Sequence, residues 1–202
     1  MHSGGPIAVA AETTRPALGR IVLLNGAPRA GKSSIARALQ AKGDWLVFGV
    51  DAMMAMTPAH RLPGIGLRPG GERPDLEDFV RRSYAALFAG LAAFARQGIA
   101  VVSDVGLHDS YSRPLGITQM ACEMLADLPL LWVGVHCPID VIMARRNADT
   151  SGTYAGGSGV PPPVQRWQDE VHAGKQYDLE VDTSMLTPGQ CAEKIASSLA
   201  RK

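Results

Sequence analysis

Apolar residues fall along this chain in short, continuous runs separated by longer stretches with helical spacing. Runs at 21–24, 45–50, 99–103, 130–135 and 178–181 are rich in aliphatic and β-branched residues, and the first ends in Asn25-Gly26. Such runs predict buried parallel strands rather than half-exposed ones. Between them, Ile35, Ala36 and Leu39 mark a helix over 33–41, with Gly43 just past its end as a left-handed cap. Leu76, Phe79, Val80, Leu87, Leu91 and Phe94 mark a long amphipathic helix that stops at Gly98. A helix over 139–147 follows the fourth strand, and a last helix opens with Pro188 behind a Thr187–Gln190 capping box.

Strands that alternate with helices predict an α/β fold of three layers, a mostly parallel sheet covered on both faces. Ligands bind such a sheet at the carboxyl ends of its strands. Two segments break the rhythm: 56–74, with four Pro and four Gly, and 150–163, rich in Gly, Ser and Pro. Long irregular segments in a small domain are functional or disordered, so they are read as an acceptor loop and a lid. The expected organisation is a disordered leader over 1–19 and a single domain over 20–202, with the lid-like loop near 148–163.

Composition narrows the function classes. The chain has 202 residues, 46% hydrophobic, enough for one sizeable core. Lys plus Arg total 20 against 19 Asp plus Glu, and a net charge of +1 offers no broad field for a nucleic acid or an anionic membrane. No run is long and apolar enough to span a bilayer. Cys122, Cys137 and Cys191 are odd in number and widely spaced, which fits a reducing, cytoplasmic setting. Nothing in the sequence excludes assembly into a homo-oligomer.

The chemistry is carried first by Gly26-Ala27-Pro28-Arg29-Ala30-Gly31-Lys32-Ser33, followed by Ser34, between the first strand and the first helix. This is the GxxxxGK[ST] phosphate-binding loop in the context it requires. Gly26 and Gly31 let backbone N–H groups turn toward a phosphate at the helix N-terminus, Lys32 bridges the β- and γ-phosphates, and Ser33 ligates Mg²⁺. Arg29 either reaches phosphate or points to solvent. Asp51, at the end of the second run, is either a general base for an attacking hydroxyl or a helix N-cap. Asp104 closes the third run, where a carboxylate orders Mg²⁺ and its waters. Arg145 and Arg146 sit late in their helix, so Arg145 either closes on the transferring phosphoryl group or complements the helix dipole. His136 and Cys137 follow the fourth run on the same edge without a triad-like partner, and His60 and His108 lie in loops. Asp182, Thr183 and Ser184 follow the fifth run, where nucleotide kinases place a base-contacting loop.

Several blocks together resemble the chloramphenicol phosphotransferases, P-loop kinases that phosphorylate the antibiotic: residues 21–34 (IVLLNGAPRAGKSS), 48–51 (FGVD), 103–105 (SDV), 131–137 (LWVGVHC) and 177–183 (YDLEVDT). They run in family order across roughly residues 20 to 200. The resemblance implies a P-loop NTPase fold with a five-stranded parallel sheet of the nucleotide-kinase type, ATP as donor, and Asp51 as the base. Where such enzymes carry two acids at the end of strand three, this chain has Ser103 before Asp104, and its segment after Arg145 is longer and richer in Gly and Pro. The expected activity is ATP- and Mg²⁺-dependent phosphorylation of a small-molecule hydroxyl, with chloramphenicol favoured. A different metabolite or nucleotide sugar as acceptor, in the manner of zeta-toxin-like kinases, and a non-catalytic nucleotide-binding regulator are the alternatives. Arg61, Arg68 and Arg73, in the acceptor segment 53–73, are the residues that would clamp an anionic acceptor.

Overall fold

A computed structural model describes residues 16–63, 73–148 and 159–201. Most of the expected leader, the middle of the acceptor segment with Arg68, and most of the lid-like loop lie outside the described residues. Five strands, β1 (Ile21–Asn25), β2 (Leu46–Val47), β3 (Val101–Val105), β4 (Leu130–His136) and β5 (Leu179–Asp182), form one sheet in the order β2-β3-β1-β4-β5. Every pair is parallel. All five β1 residues are buried, as are all five of β3, which explains why both read as unbroken apolar runs.

The alternation of side chains along β1 divides the core in two. Val22 and Leu24 pack with Ile35 and Leu39 of α1 (Lys32–Gln40), Ile142 of α5 (Ile139–Asn147), Trp167 of α6 (Pro162–Glu170) and Ile195 of α7 (Pro188–Leu199). Ile21 and Leu23 pack on the opposite face with Leu87, Phe88 and Leu91 of α3 (Glu77–Arg96) and Ile117 and Leu125 of α4 (Ile117–Leu125). The sheet therefore has helices on both faces.

The structure departs from the sequence expectations in several places, each with a local cause. The second run yields a two-residue strand, although Phe48 still donates its N–H to the Val102 carbonyl at 3.0 Å. Its last residues turn at Gly49 into a short helix, α2 (Val50–Ala55). Asp104 lies within β3 rather than after it, because that strand starts and ends two residues later than its apolar run. Gly43 does not take the left-handed conformation; among the described residues that role after a helix falls to Gly98 behind α3, with φ 78°. Helices α4 and α6 were not expected, since each is short and α6 begins inside the Gly- and Pro-rich segment. Gly19, assigned to the leader, donates to the Ala95 carbonyl at 2.8 Å. The Thr187–Gln190 capping box forms as expected.

Phe88 is fully buried at the centre of the α3 face. Phe88→Ala is expected to cost about 3–5 kcal/mol of folding stability, read as a lowered urea midpoint with an unchanged slope.

Candidate active site

The phosphate-binding loop joins β1 to α1 across the middle of the sheet's carboxyl edge. Gly31 caps α1 with φ 97° and ψ 9°, a left-handed conformation that glycine adopts without a Cβ penalty. No side chain caps the helix, so its first N–H groups are suited to an anion. A Cβ on Gly26 would lie 2.4 Å from the Val135 carbonyl oxygen, so the loop can start this close to β4 only with glycine there. Arg29 takes a positive φ of 69°, unfavourable for a non-glycine residue, and its carbonyl accepts from the Arg145 guanidinium at 3.1 Å. Ala27 and Ala30 turn their methyl groups into the core, whereas Gly26, Pro28, Arg29, Gly31, Lys32, Ser33 and Ser34 line a cavity.

The Lys32 ammonium donates to the carbonyls of Gly26 at 2.8 Å and Ala27 at 2.9 Å. Burial pushes its pKa down, opposed by the charges of Asp104 and Asp51. The Ser33 hydroxyl lies 3.0 Å from Asp51 Oδ2 and 3.2 Å from Asp104 Oδ2, and all three residues line the cavity. Asp51 is the second residue of α2, inside the helix rather than its N-cap, which is Gly49. Burial pushes the Asp104 carboxyl up, the neighbouring Asp51 charge adds to this, and Lys32 opposes both. This cluster of hard oxygens with unspent negative charge suits Mg²⁺, which takes one or two carboxylates and completes its shell from phosphate and water. Among the described residues no group of three or more His, Cys, Asp or Glu side chains could hold a metal.

Gly49 makes this cluster possible. A Cβ at Gly49 would sit 1.8 Å from Asp104 Oδ1 and 2.6 Å from the Asp104 nitrogen. The preceding Phe48 ring packs edge-on to Phe94, 5.7 Å between centroids, and fits over Gly90 of α3. The FGVD block thus has a physical meaning: Phe48 anchors the strand end on α3, Gly49 lets it touch β3, and Asp51 emerges beside Ser33.

The cavity has a volume of about 990 Å³ and continues past Asp51 to Met53, Phe79, Val80, Tyr84, Tyr111 and Trp167. Burial pushes the Tyr84 and Tyr111 hydroxyls well above the ordinary tyrosine range. Glu77 is buried and accepts from Ser112 at both oxygens, 2.8 Å from the N–H and 2.5 Å from the hydroxyl, which ties the loop after β3 to α3. One cavity thus joins a phosphate end to an aromatic end.

A model of the family described as chloramphenicol phosphotransferase-like protein matches residues 19–200. The chain belongs to that family. A relative from Mycobacterium tuberculosis, provisionally named an O-phosphotransferase, is 24% identical over 89% of this chain and 82% of its own length. Among solved structures, a sugar kinase from Janibacter sp. has a TM-score of 0.63 at 16% identity, covering 90% of this chain and 95% of its own. An APS kinase from M. tuberculosis, in complex with AMPPNP and APS, has a TM-score of 0.62 at 17% identity, covering 92% and 99%. A shikimate kinase from Acinetobacter baumannii in complex with shikimate has a TM-score of 0.57 at 14% identity, covering 91% and 94%. These likenesses establish the P-loop kinase fold, and family membership makes the chain a kinase-like phosphotransferase.

Within this chloramphenicol phosphotransferase-like fold, Arg145 is a fastener. Its guanidinium donates to the carbonyls of Arg29 (3.1 Å) and Thr183 (2.8 Å), and also to the Thr183 hydroxyl (3.1 Å) and Cys137 Sγ (3.3 Å). Thr183 in turn donates to the Ala30 carbonyl at 2.7 Å, so Arg145 and Thr183 pin the loop from the β5 side. Both line the cavity. His136 pairs with Glu180 at 2.7 Å and stacks on His172, outside the Ser33–Asp51–Asp104 cluster. His60 lies in a short 3-10 turn at Ala59–Arg61.

Sequence reasoning did not find Asn25, Glu77, Tyr84, Tyr111 or Trp167. Asn25 is fully buried and makes three long-range bonds: Nδ2 donates to the Val171 carbonyl (2.9 Å) and the Tyr177 hydroxyl (2.8 Å), and Oδ1 accepts from the Leu107 N–H (2.6 Å). The one sequence signal for it was a polar amide closing an apolar strand, which reads equally as a turn residue.

Gly49→Ala is expected to force the start of α2 away from Asp104. Calorimetric titration with Mg²⁺ and ATP should then show binding weakened about tenfold or more, with overpacking lowering stability by about 1–3 kcal/mol. Unchanged affinity would show that the close contact does not set the Asp51–Ser33–Asp104 geometry.

Proposed function

We propose that this chain transfers the γ-phosphoryl group of ATP to a hydroxyl of a small uncharged molecule in the cytoplasm, with chloramphenicol or a related amphenicol as the favoured acceptor. The observation that carries the reading is the placement of Asp51 and Asp104 on the Ser33 hydroxyl, where the phosphate end of the cavity meets its aromatic end. The loop from Gly26 to Ser34 holds the triphosphate, and Lys32 leaves its loop carbonyls to meet the β- and γ-phosphates. Ser33 and Asp104 would hold Mg²⁺, which when bound neutralises charge on the transferring phosphates.

Asp51 accepts the proton of the acceptor hydroxyl as its oxygen bonds to the γ-phosphorus. The bond from that phosphorus to the β–γ bridging oxygen breaks, ADP leaves, and Asp51 returns its proton to solvent. Arg145 holds the phosphate loop against β5 and lies close enough to the cavity to meet the nucleotide. The rival acceptor class, a nucleotide sugar or other anionic metabolite, would need arginine clamps. Arg73 is engaged with Asp75 at 2.6 Å, and Arg61 lies over the Phe79 ring, 5.4 Å from its centroid.

A second reading of Asp51 has a specific observation behind it. Its 3.0 Å contact to Ser33 Oγ equally supports a role in holding a water of the metal shell. ADP release from Mg²⁺-ATP, measured with and without chloramphenicol, tests the function and separates the two roles. Asp51→Asn is expected to keep ATP binding and lose about 10²–10⁴ of the acceptor-stimulated rate. Recovery of that rate at raised Mg²⁺ would move Asp51 to the metal shell, and acceptor-independent turnover would favour a nucleotide-binding regulator.

A further inference from the structure

Resting on the kinase reading above, we infer that His108 selects the acceptor, its Nε2–H donating to an uncharged oxygen on a ring-bearing alcohol that lies against Tyr111 and Trp167. His108 stands in the loop after β3, is 6% exposed, and lines the aromatic end of the cavity. The Ser110 N–H donates to His108 Nδ1 at 3.2 Å, so in the neutral ring the proton is on Nε2. That Nε2 is buried and has no hydrogen-bond partner among the described residues. Native proteins leave few buried donors unmet, and an unmet donor in a cavity wall is a place for a ligand acceptor atom.

The surroundings define what that atom belongs to. Tyr111 stacks on the imidazole with 4.3 Å between centroids, and Trp167 meets it edge-on at 4.5 Å, giving a wall that favours a flat ring. Burial, reinforced by Lys175, pushes the His108 pKa down to about 4, so the ring stays neutral at physiological pH and offers no charge to an anion. Glu77 spends both oxygens on Ser112, and Arg73 spends its fork on Asp75. Among the described residues at this end of the lining the other cation is Arg166, and a single guanidinium is not the cluster that anion recognition uses. A neutral acceptor with a ring and a second, uncharged oxygen fits these walls.

The test compares wild-type protein with His108→Phe, which keeps a ring in the stack without the N–H, and with His108→Gln, which restores a donor. Steady-state ADP release is measured with chloramphenicol and 4-nitrobenzyl alcohol as neutral oxygen-bearing acceptors. 2-Phenylethanol serves as a ring alcohol without a second oxygen, and shikimate as an anionic one. His108→Phe is expected to raise KM for the oxygen-bearing acceptors about 10- to 100-fold with kcat changed less than about threefold, leaving 2-phenylethanol unaffected. His108→Gln should recover part of the loss. Equal KM values in wild type and His108→Phe would overturn the role of His108 while leaving the kinase reading intact. Should His108→Phe fail to fold, the wild-type preference and His108→Gln decide: no preference for the oxygen-bearing acceptors over 2-phenylethanol, or a preference for shikimate, overturns the inference. If none of the four stimulates ADP release in a protein that binds ATP, both this inference and the acceptor named above fall.

Discussion

The contact between the Gly49 backbone and Asp104 is the constraint on which the site depends. A strand end pressed this closely on its neighbour admits no side chain at position 49, and in return it brings two carboxylates from different segments onto one hydroxyl. Asp104 is fixed by β3, whose five residues are all buried, and Ser33 by α1, which packs on the sheet through Ile35 and Leu39. Asp51 has no such anchor, because α2 is six residues long and contains no buried residue. It depends on Phe48 seated over Gly90 and against Phe94, and on the missing Cβ beside Asp104.

The phosphate-binding loop is held from both flanks by polar groups rather than by packing alone. On one side, Asn25 gathers the Leu107 N–H, the Val171 carbonyl and the Tyr177 hydroxyl around the base of the loop. Burial pushes the Tyr177 hydroxyl up to about 12 and the adjoining His172 down to about 4, so both stay neutral and serve as fixed hydrogen-bonding groups. On the other side, Arg145 and Thr183 hold the carbonyls of Arg29 and Ala30. The N–H groups of Gly26 and Ala30 are spent on the Val105 and Ala27 carbonyls, at 3.3 and 3.1 Å, so the polarity an anion requires comes from the start of α1, which no side chain caps.

Charge and burial oppose one another in the site. Lys32 is half-buried and Asp104 buried, and burial disfavours the charged form of each even though they attract one another. A polyanionic phosphate beside Lys32 and a divalent cation beside Asp104 would relieve both costs at once. Sites of this kind trade stability in the free protein for affinity toward what binds there.

The phosphate-binding loop, the five strands and the parallel α/β architecture were legible in the sequence, because each rests on local chemistry: continuous apolar runs, helical spacing, and glycines with a lysine and serine at fixed offsets. Asp51 and Asp104 were legible as candidates for the same reason, as carboxylates closing apolar runs at the ligand edge. Their meeting at Ser33 was not, since the residues lie 18 and 71 positions from it and no periodicity links them. Arg145 was read as a choice between catalysis and a helix end, and its four bonds to the loop and to β4 and β5 depend on strand order. Of the aromatic end only His108 was legible, as a loop histidine without a role, because Tyr84, His108, Tyr111 and Trp167 come from α3, the loop after β3, and α6, and only the packing of those elements across the sheet edge makes them one wall. Sequence determined the elements and the phosphate-binding loop through local propensity; tertiary structure decided the aromatic end of the cavity, because a cavity exists only where distant segments fail to fill the space between them.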